Sequence, residues 1–271
     1  MTSNLTLEVL ISTMNRKDLS FLDHMFPDVN TSMYSILIIN QTQFEEDLLS
    51  SHPKIRVINS KTFGLSKSRN LAIDNAVGDI LLFSDDDVQY LPDFENTILK
   101  AYATYPEAAL ISFQFLNEQG DLAKLYPKRE GYLTSSKRPL SSVELTFKRE
   151  SAVSLNLRMD ERFGLGSIFA SGEEQLFKNA FLKNKLKTAY VAEPLLIHPG
   201  KTSASSLDKA KSIEATAAQK YMLYNNLTYL WLVKYVFFLF RQGYISFYDQ
   251  VYAYNSGMKA ISKLKALRDE N

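Results

Sequence analysis

The chain has no cysteine in its 271 residues. That excludes a disulfide framework, a thiol nucleophile and a zinc-thiolate site, and makes a cytoplasmic compartment the expectation. Net charge is nearly absent as well: 31 Lys and Arg against 30 Asp and Glu leave +1 at neutral pH. Nucleic-acid binders concentrate positive charge, so this balance argues against nucleic acid as the main partner. No apolar run reaches the roughly 20 residues of a spanning helix. Met1 to Leu10 lacks the charged start and long apolar core of a secretory signal. No internal repeat points to a solenoid. What is present is an ordinary globular composition. With 45% hydrophobic residues, the chain can bury a sizeable core in one large domain or in one domain plus an extension.

One stretch stands out from this background. Ile80 to Phe83 is an uninterrupted apolar run opened by Gly78-Asp79, which is how a strand buried on both faces reads, and it runs through Ser84 into Asp85-Asp86-Asp87. Three like charges at a strand end repel one another unless a cation, a helix N-terminus or donor side chains offset the repulsion. Mg2+ or Mn2+ does this while filling its remaining positions with water and phosphate oxygens, so the implied partner is a metal-bound diphosphate. Asp85 and Asp87, alternate residues of an extended segment, point to one side and would hold the metal; Asp86 would point away, toward a ribose. The plain alternative is an acidic turn capping the helix expected after Pro92, which accounts for one or two of the three aspartates.

The rest of the chain supplies a frame. Leu7 to Ser12, Tyr34 to Ile39 and Ile55 to Ile58 read as buried strands; helices are expected from Asp18, over Phe44 to Leu49, and from Gly64 through Ile73. Alternating strands and helices predict an α/β fold with a mostly parallel sheet covered on both faces and ligands at the strands' carboxyl ends. Ser12, Thr13, Asn40 and the aspartates fall at those ends. Tyr126 to Thr146 is polar, basic and without periodicity, either a connector or a lid on the acceptor side. Ser203 to Ser206 is a polar joint, which divides the chain into residues 1–205 and a helical extension, 206–271. In that extension Leu207 to Tyr224, Leu227 to Arg241 and Tyr244 to Leu267 read as helices. The middle one is intensely aromatic. It either packs as core or meets a second subunit, or it seats Tyr229, Trp231 and Tyr235 at a membrane surface, flanked by Lys220, Lys234 and Arg241.

The order of these pieces resembles the family 2 glycosyltransferases of GT-A fold. The resemblance rests on the strand ending in Ser12-Thr13 with Asn15-Arg16, on Gly64-Leu-Ser66-Lys-Ser-Arg69-Asn70, and on the aspartate triplet. It continues in Phe163-Gly-Leu-Gly166, in Ser171-Gly-Glu173-Glu174, and in His198 after an apolar run. It implies a metal-dependent, inverting transfer of a sugar from a nucleotide diphosphate, UDP by default, to a hydroxyl of a glycan or lipid-linked glycan in bacterial surface polysaccharide synthesis. It further implies Asp85, Asp87 and His198 as ligands of Mn2+ or Mg2+, and Ser12, Thr13, Asn15, Arg16, Asn40, Ser66, Arg69 and Asp86 around the donor. Glu174 is the expected base, with Glu173 beside it as the alternative or as an orienting group. For the pair, the plain alternative is a charge at a helix start; for His198, a structural histidine; for Lys67, a solvated position. His24 and His52 have no assigned role. A nucleotidyltransferase and a non-catalytic sugar-nucleotide or glycan-binding module are the rival functions. The expected location is cytoplasmic, free or peripheral on the inner face of the membrane.

Overall fold

The computed structural model describes residues 5–27, 33–133, 140–198 and 208–269. The joint at Ser203 to Ser206, Pro199-Gly200 and Ser135 to Pro139 of the basic segment lie outside them. One mixed sheet runs through the chain as far as Ile197. Its first strands are β1 (Leu7–Met14), β2 (Ser35–Gln41), β3 (Ile55–Ser60) and β4 (Ile80–Asp85), parallel and ordered β3-β2-β1-β4. Beyond β4 come β8 (Leu145–Lys148), β6 (Ala108–Leu116), β9 (Lys187–Ile197) and β5 (Gln89–Tyr90), with β7 (Gly131–Tyr132) also on β9. β8 lies antiparallel to both β4 and β6, while β6 and β9 are parallel.

Alternation sorts the apolar residues into two cores. Val9, Ile11, Ile36, Ile38, Ile80 and Leu82 face one layer with α1 (Phe21–Met25) and α3 (Phe94–Thr104). Leu10, Leu37, Ile39, Leu81 and Phe83 face the other, with α2 (Leu65–Asn75), α4 (Arg149–Ser154) and α5 (Glu173–Lys183). The chain leaves β1 toward β2 and β3, then returns to place β4 on the opposite side of β1. That reversal opens a crevice at the carboxyl ends of β1 and β4, where Ser12 pairs in register with Asp85.

Two expected helices are corrected. Phe44 to Leu49 is irregular: only Leu48 of the stretch is buried, too little for a helical face, and the Asn59 amide takes over its backbone, accepting from Leu48 N (3.1 Å) and donating to Leu48 O (2.9 Å). The first helix begins at Phe21 instead of Asp18, because the Asp18 carboxylate accepts from the Ser20 amide and hydroxyl and holds a turn there. Within the basic segment, β7, a 3-10 turn at Ser142–Glu144 and β8 are ordered elements, too short to show a period in sequence.

The extension forms α6 (Lys209–Tyr224), α7 (Leu227–Arg241) and α8 (Asp249–Asp269). Thr228, Leu232, Val236 and Leu239 make the buried stripe of α7, and Gly257 of α8 has no room for a Cβ, which would come within 2.7 Å of Leu232. This third core also contains Phe163 and Phe169, from the segment before α5. Among the described residues no helix is long and apolar enough to cross a membrane. The aromatic side chains expected to face lipid are turned inward or along the surface. Trp231 stacks on Tyr235 (4.7 Å) and Tyr229 accepts from Lys265 (2.7 Å), while Leu227, Leu230, Val233, Phe237 and Phe238 are exposed.

Candidate active site

Asp85 is the last residue of β4, and the chain turns immediately after it. Two residues past Asp87, Gln89 pairs antiparallel with Ile197, which sets His198 beside the turn. His198 is buried, its backbone N–H donates to Leu116 O (2.9 Å), and its Nε2 lies 4.0 Å from Asp85 Oδ2 and 3.8 Å from Asp87 Oδ1. One ligand atom from each of the three residues falls within 4.8 Å of the others. Burial pushes the Asp87 carboxyl up; His198 opposes this, and Asp85 and Asp86 add to it. Two carboxylates and an imidazole converging with excess negative charge fit a hard divalent cation that keeps positions free for phosphate oxygens.

Asp86 turns the other way. Its carboxylate accepts from the Thr13 hydroxyl and from Arg16 Nε (2.8 Å), and pairs with Arg16 Nη2 at 2.7 Å. Arg16 is held by Asn40, which accepts from its amide (3.1 Å) and donates to its carbonyl (3.0 Å). Asn15, at φ 55°, makes the bend between them, and its amide donates to Gln41 O (2.9 Å). Ser12 and Ser66 are buried: the Ser68 hydroxyl donates to Ser12 (2.9 Å), and Ser66 donates to Phe163 O (2.6 Å). These two brace the crevice wall together with the buried Thr13, whereas Arg16 and Asp86 stand at its rim.

Arg69 connects the aspartates to the acidic pair. At 1% exposure, its Nη2 donates to Asp85 Oδ1 (3.0 Å) and to Ser142 Oγ (2.6 Å), and its Nη1 lies 3.6 Å from Glu173 Oε1 and 3.7 Å from Glu174 Oε1. The guanidinium carbon also lies 5.6 Å from the centre of the Phe83 ring. Only a planar, multi-donor cation spans three carboxylates in this way. Glu173 and Glu174 open α5 after Gly172, whose φ of 110° admits the sharp entry. Glu173 is the more buried side chain, 4% against 20% exposed. Burial first, then repulsion from Glu174, pushes Glu173 up to about 8 against the pull of Arg69. Burial raises Glu174 as well, with Arg69 again opposing. Only Glu174 of the two faces the adjoining cavity of about 330 Å3.

Residues 32–161 match the model for Glycosyl transferase family 2. Residues 32–161 carry a family 2 glycosyltransferase domain. No curated protein matches its sequence. Among solved structures it is similar to S. aureus TarS 1-349 in complex with UDP-GlcNAc, at 14% identity and TM-score 0.59, over 97% of this chain and 84% of that one. It is similar to the longer S. aureus TarS structure to the same degree, 14% and 0.59, over 97% of this chain and 50% of that one. At this identity the likeness concerns the fold, the GT-A arrangement.

Three residues of the centre have no counterpart in the sequence reading. Ser142 sits next to Asp85 because β8 runs antiparallel to β4 and so delivers its preceding turn to β4's carboxyl end. Lys124 reaches the same turn, 3.0 Å from the buried Glu144, and its charge favours ionised Glu174. Gln219 of α6 donates to Gly172 O (3.3 Å), docking the extension on the start of α5. A Ser141-x-x-Glu144 capping box was the one local signal available for this region, and it marks a turn without saying what the turn approaches.

Proposed function

We propose that this family 2 enzyme transfers a sugar from a UDP-sugar to a hydroxyl of a glycan or lipid-linked glycan with inversion, using Mn2+ or Mg2+. The observation that carries the reading is the single buried arginine joining Asp85 of the Asp85/Asp87/His198 cluster to Glu173 and Glu174. Asp85, Asp87 and His198 would hold the ion, which when bound supplies Lewis-acid stabilisation to the departing diphosphate. Arg16 and Asp86 form the rim on the nucleoside side, with Thr13 in the wall. The likeness to a structure holding UDP-GlcNAc supports a uridine donor. Glu174, the one of the pair that lines the cavity, accepts the acceptor's hydroxyl proton as its oxygen bonds to the anomeric carbon. The bond from that carbon to the phosphate oxygen breaks, and UDP leaves with the electron pair. Two carboxyls with environments that separate their roles are what such a step requires. The test is calorimetric titration of UDP with Mn2+ or with EDTA. Asp87→Ala should weaken UDP binding in Mn2+ by about tenfold or more and leave the weak binding in EDTA unchanged; equal affinity in Mn2+ overturns the site.

We further propose the division into a catalytic part, residues 1–205, and a helical extension, 206–271, that approaches a membrane-linked acceptor. Leu230, Val233, Phe237 and Phe238 on α7 are exposed beside Phe247, Tyr248, Val251 and Tyr252 near the start of α8. From residue 215 to 248 there is no Asp or Glu, while Lys220, Lys234 and Arg241 are present. An acid-free, aromatic, basic surface favours an anionic lipid face over a symmetric copy of itself, in which like charges would meet. Liposome flotation tests this: Phe237→Ser with Lys234→Glu should abolish low-salt flotation on anionic vesicles. An intact chain that never floats refutes the membrane contact and leaves the homo-oligomer.

A further inference from the structure

The cavity beside Glu174 has two unlike walls. Glu174 and Gly172 belong to the start of α5, while Thr216, Gln219, Lys220 and Tyr224 belong to one face of α6. The extension therefore completes the cavity. At about 330 Å3 it stands at the small end of ligand cavities.

Lys220 gives this cavity a sign. Its ammonium lies 5.7 Å from the ring centres of both Tyr224 and Trp231, and burial lowers its pKa with no nearby charge working the other way. Among the described residues no oxygen acceptor or carboxylate pairs with it. Other cations of this region differ: Lys124 has Glu144 at 3.0 Å, and Lys265 bonds the Tyr229 hydroxyl at 2.7 Å. Ring faces attract a cation but neither accept its protons strongly nor neutralise it. A half-buried ammonium with aromatic walls and no acceptor is left for a ligand to complete.

We propose that the acceptor carries a fixed anionic group, a phosphate or a carboxylate, which Lys220 receives against Tyr224 and Trp231 while the acceptor hydroxyl lies toward Glu174. This rests on the reading of Glu174 as the base. It makes α6 a specificity element: the catalytic part selects the donor and the extension selects the charge of the acceptor. Lys220 binds and positions; it takes no proton in the transfer.

The chain's single tryptophan is Trp231, so its fluorescence reports on Lys220's surroundings directly. The intact protein, saturated with UDP and Mg2+ at fixed ionic strength, is titrated with glycerol 1-phosphate, glucuronate, glycerol and glucose. A saturable change with phosphate or carboxylate and none with the neutral probes is expected, and the two anionic arms show which group is preferred. Lys220→Met, which keeps the stem and its packing, should weaken the anion response by about tenfold or more, and Lys220→Arg should retain it. Equal responses to neutral and anionic probes, or an unchanged response in Lys220→Met, overturns the proposal. UDP affinity measured on the same samples reports the donor site separately, so loss of one reading leaves the other intact.

Discussion

The proposed donor side and the proposed acceptor side of the site are built on different terms. The donor side is a strand end: Thr13 and Asp85 lie at the ends of β1 and β4, which pair in register, Asp86 and Asp87 follow, and their charges are met by Arg16 and Arg69, with His198 beside Asp85 and Asp87. The acceptor side is assembled from pieces far apart in sequence. Glu174 starts one helix, and Thr216, Lys220 and Tyr224 come from another, roughly forty to fifty residues on; Gln219 holds the two together. A strand end places its side chains by local geometry, whereas a wall between two helices exists only if the helices dock. The donor side should therefore survive changes that erase the acceptor side, and one residue, Arg69, should couple them.

Arg69 is where that separation should break most severely. Removing it leaves Asp85, Glu173 and Glu174 in a buried setting without their shared counter-charge, a loss of the kind that costs about 3–5 kcal/mol. Arg69→Met is expected to lower the melting temperature by several degrees and to abolish transfer, with UDP binding in Mn2+ weakened at the same time. Arg69→Lys should fail nearly as badly, since an ammonium cannot reach three carboxylates. A variant that kept full stability and lost only acceptor affinity would show that the guanidinium serves one side alone.

Glu174→Gln should separate the two sides cleanly. Turnover should fall by roughly 100-fold or more, the scale of general-base catalysis, with UDP affinity nearly unchanged. Glu173→Gln should do less, because that carboxyl does not line the cavity. The pH profile sharpens the assignment. Burial raises both carboxyls, with Glu174 adding to the rise of Glu173 and Asp85 to that of each, so the active, ionised form of the pair is lost as pH falls, beginning above the ordinary carboxylate range. The acid limb of kcat should thus sit well above pH 4.5 in the wild type. If Glu173→Gln abolishes turnover and Glu174→Gln does not, the roles are reversed.

How much of this the sequence announces follows the same division. Asp85 to Asp87 after an apolar strand, Asn15-Arg16 after another and Glu173-Glu174 at a helix start are local patterns, and the structure brings them to one crevice. Ser142 and Lys220 are not local. Ser142 depends on β8 running antiparallel between β4 and β6, and Lys220 depends on how α6 lies against α5. The aromatic run of α7 shows the limit from the other side. Its composition marks an unusual helix, but which rings are exposed is set by the stripe from Thr228 to Leu239 that packs inward, and this leaves Phe237 and Phe238 outside and Trp231 against Lys220. Phe44 to Leu49 was misread because helical composition carries no information about Asn59, eleven residues beyond Leu48, which claims its backbone.

The smallest expected effect lies at the hinge between the two sides. Gly172 has φ 110°, and a Cβ there would stand 2.9 Å from Gln219 Nε2 and 3.3 Å from Gln219 Cβ and Cδ. Gly172→Ala must therefore accept an unfavourable backbone and push Gln219 away, costing about 1–3 kcal/mol. The aspartate cluster is untouched by that displacement, so UDP binding in Mn2+ should stay as in the wild type. The cavity wall formed by α6 should shift, and KM for the acceptor should rise several-fold while kcat changes little, because Glu174 keeps its place on α5. Removing the bumped side chain as well, in Gly172→Ala with Gln219→Ala, relieves the contact but not the backbone strain. Part of the stability should return, and the acceptor KM should not, since the hydrogen bond that docks α6 is gone. If the single variant instead weakens UDP binding before it affects the acceptor, the start of α5 serves the donor side, and the two sides are less separate than their construction suggests.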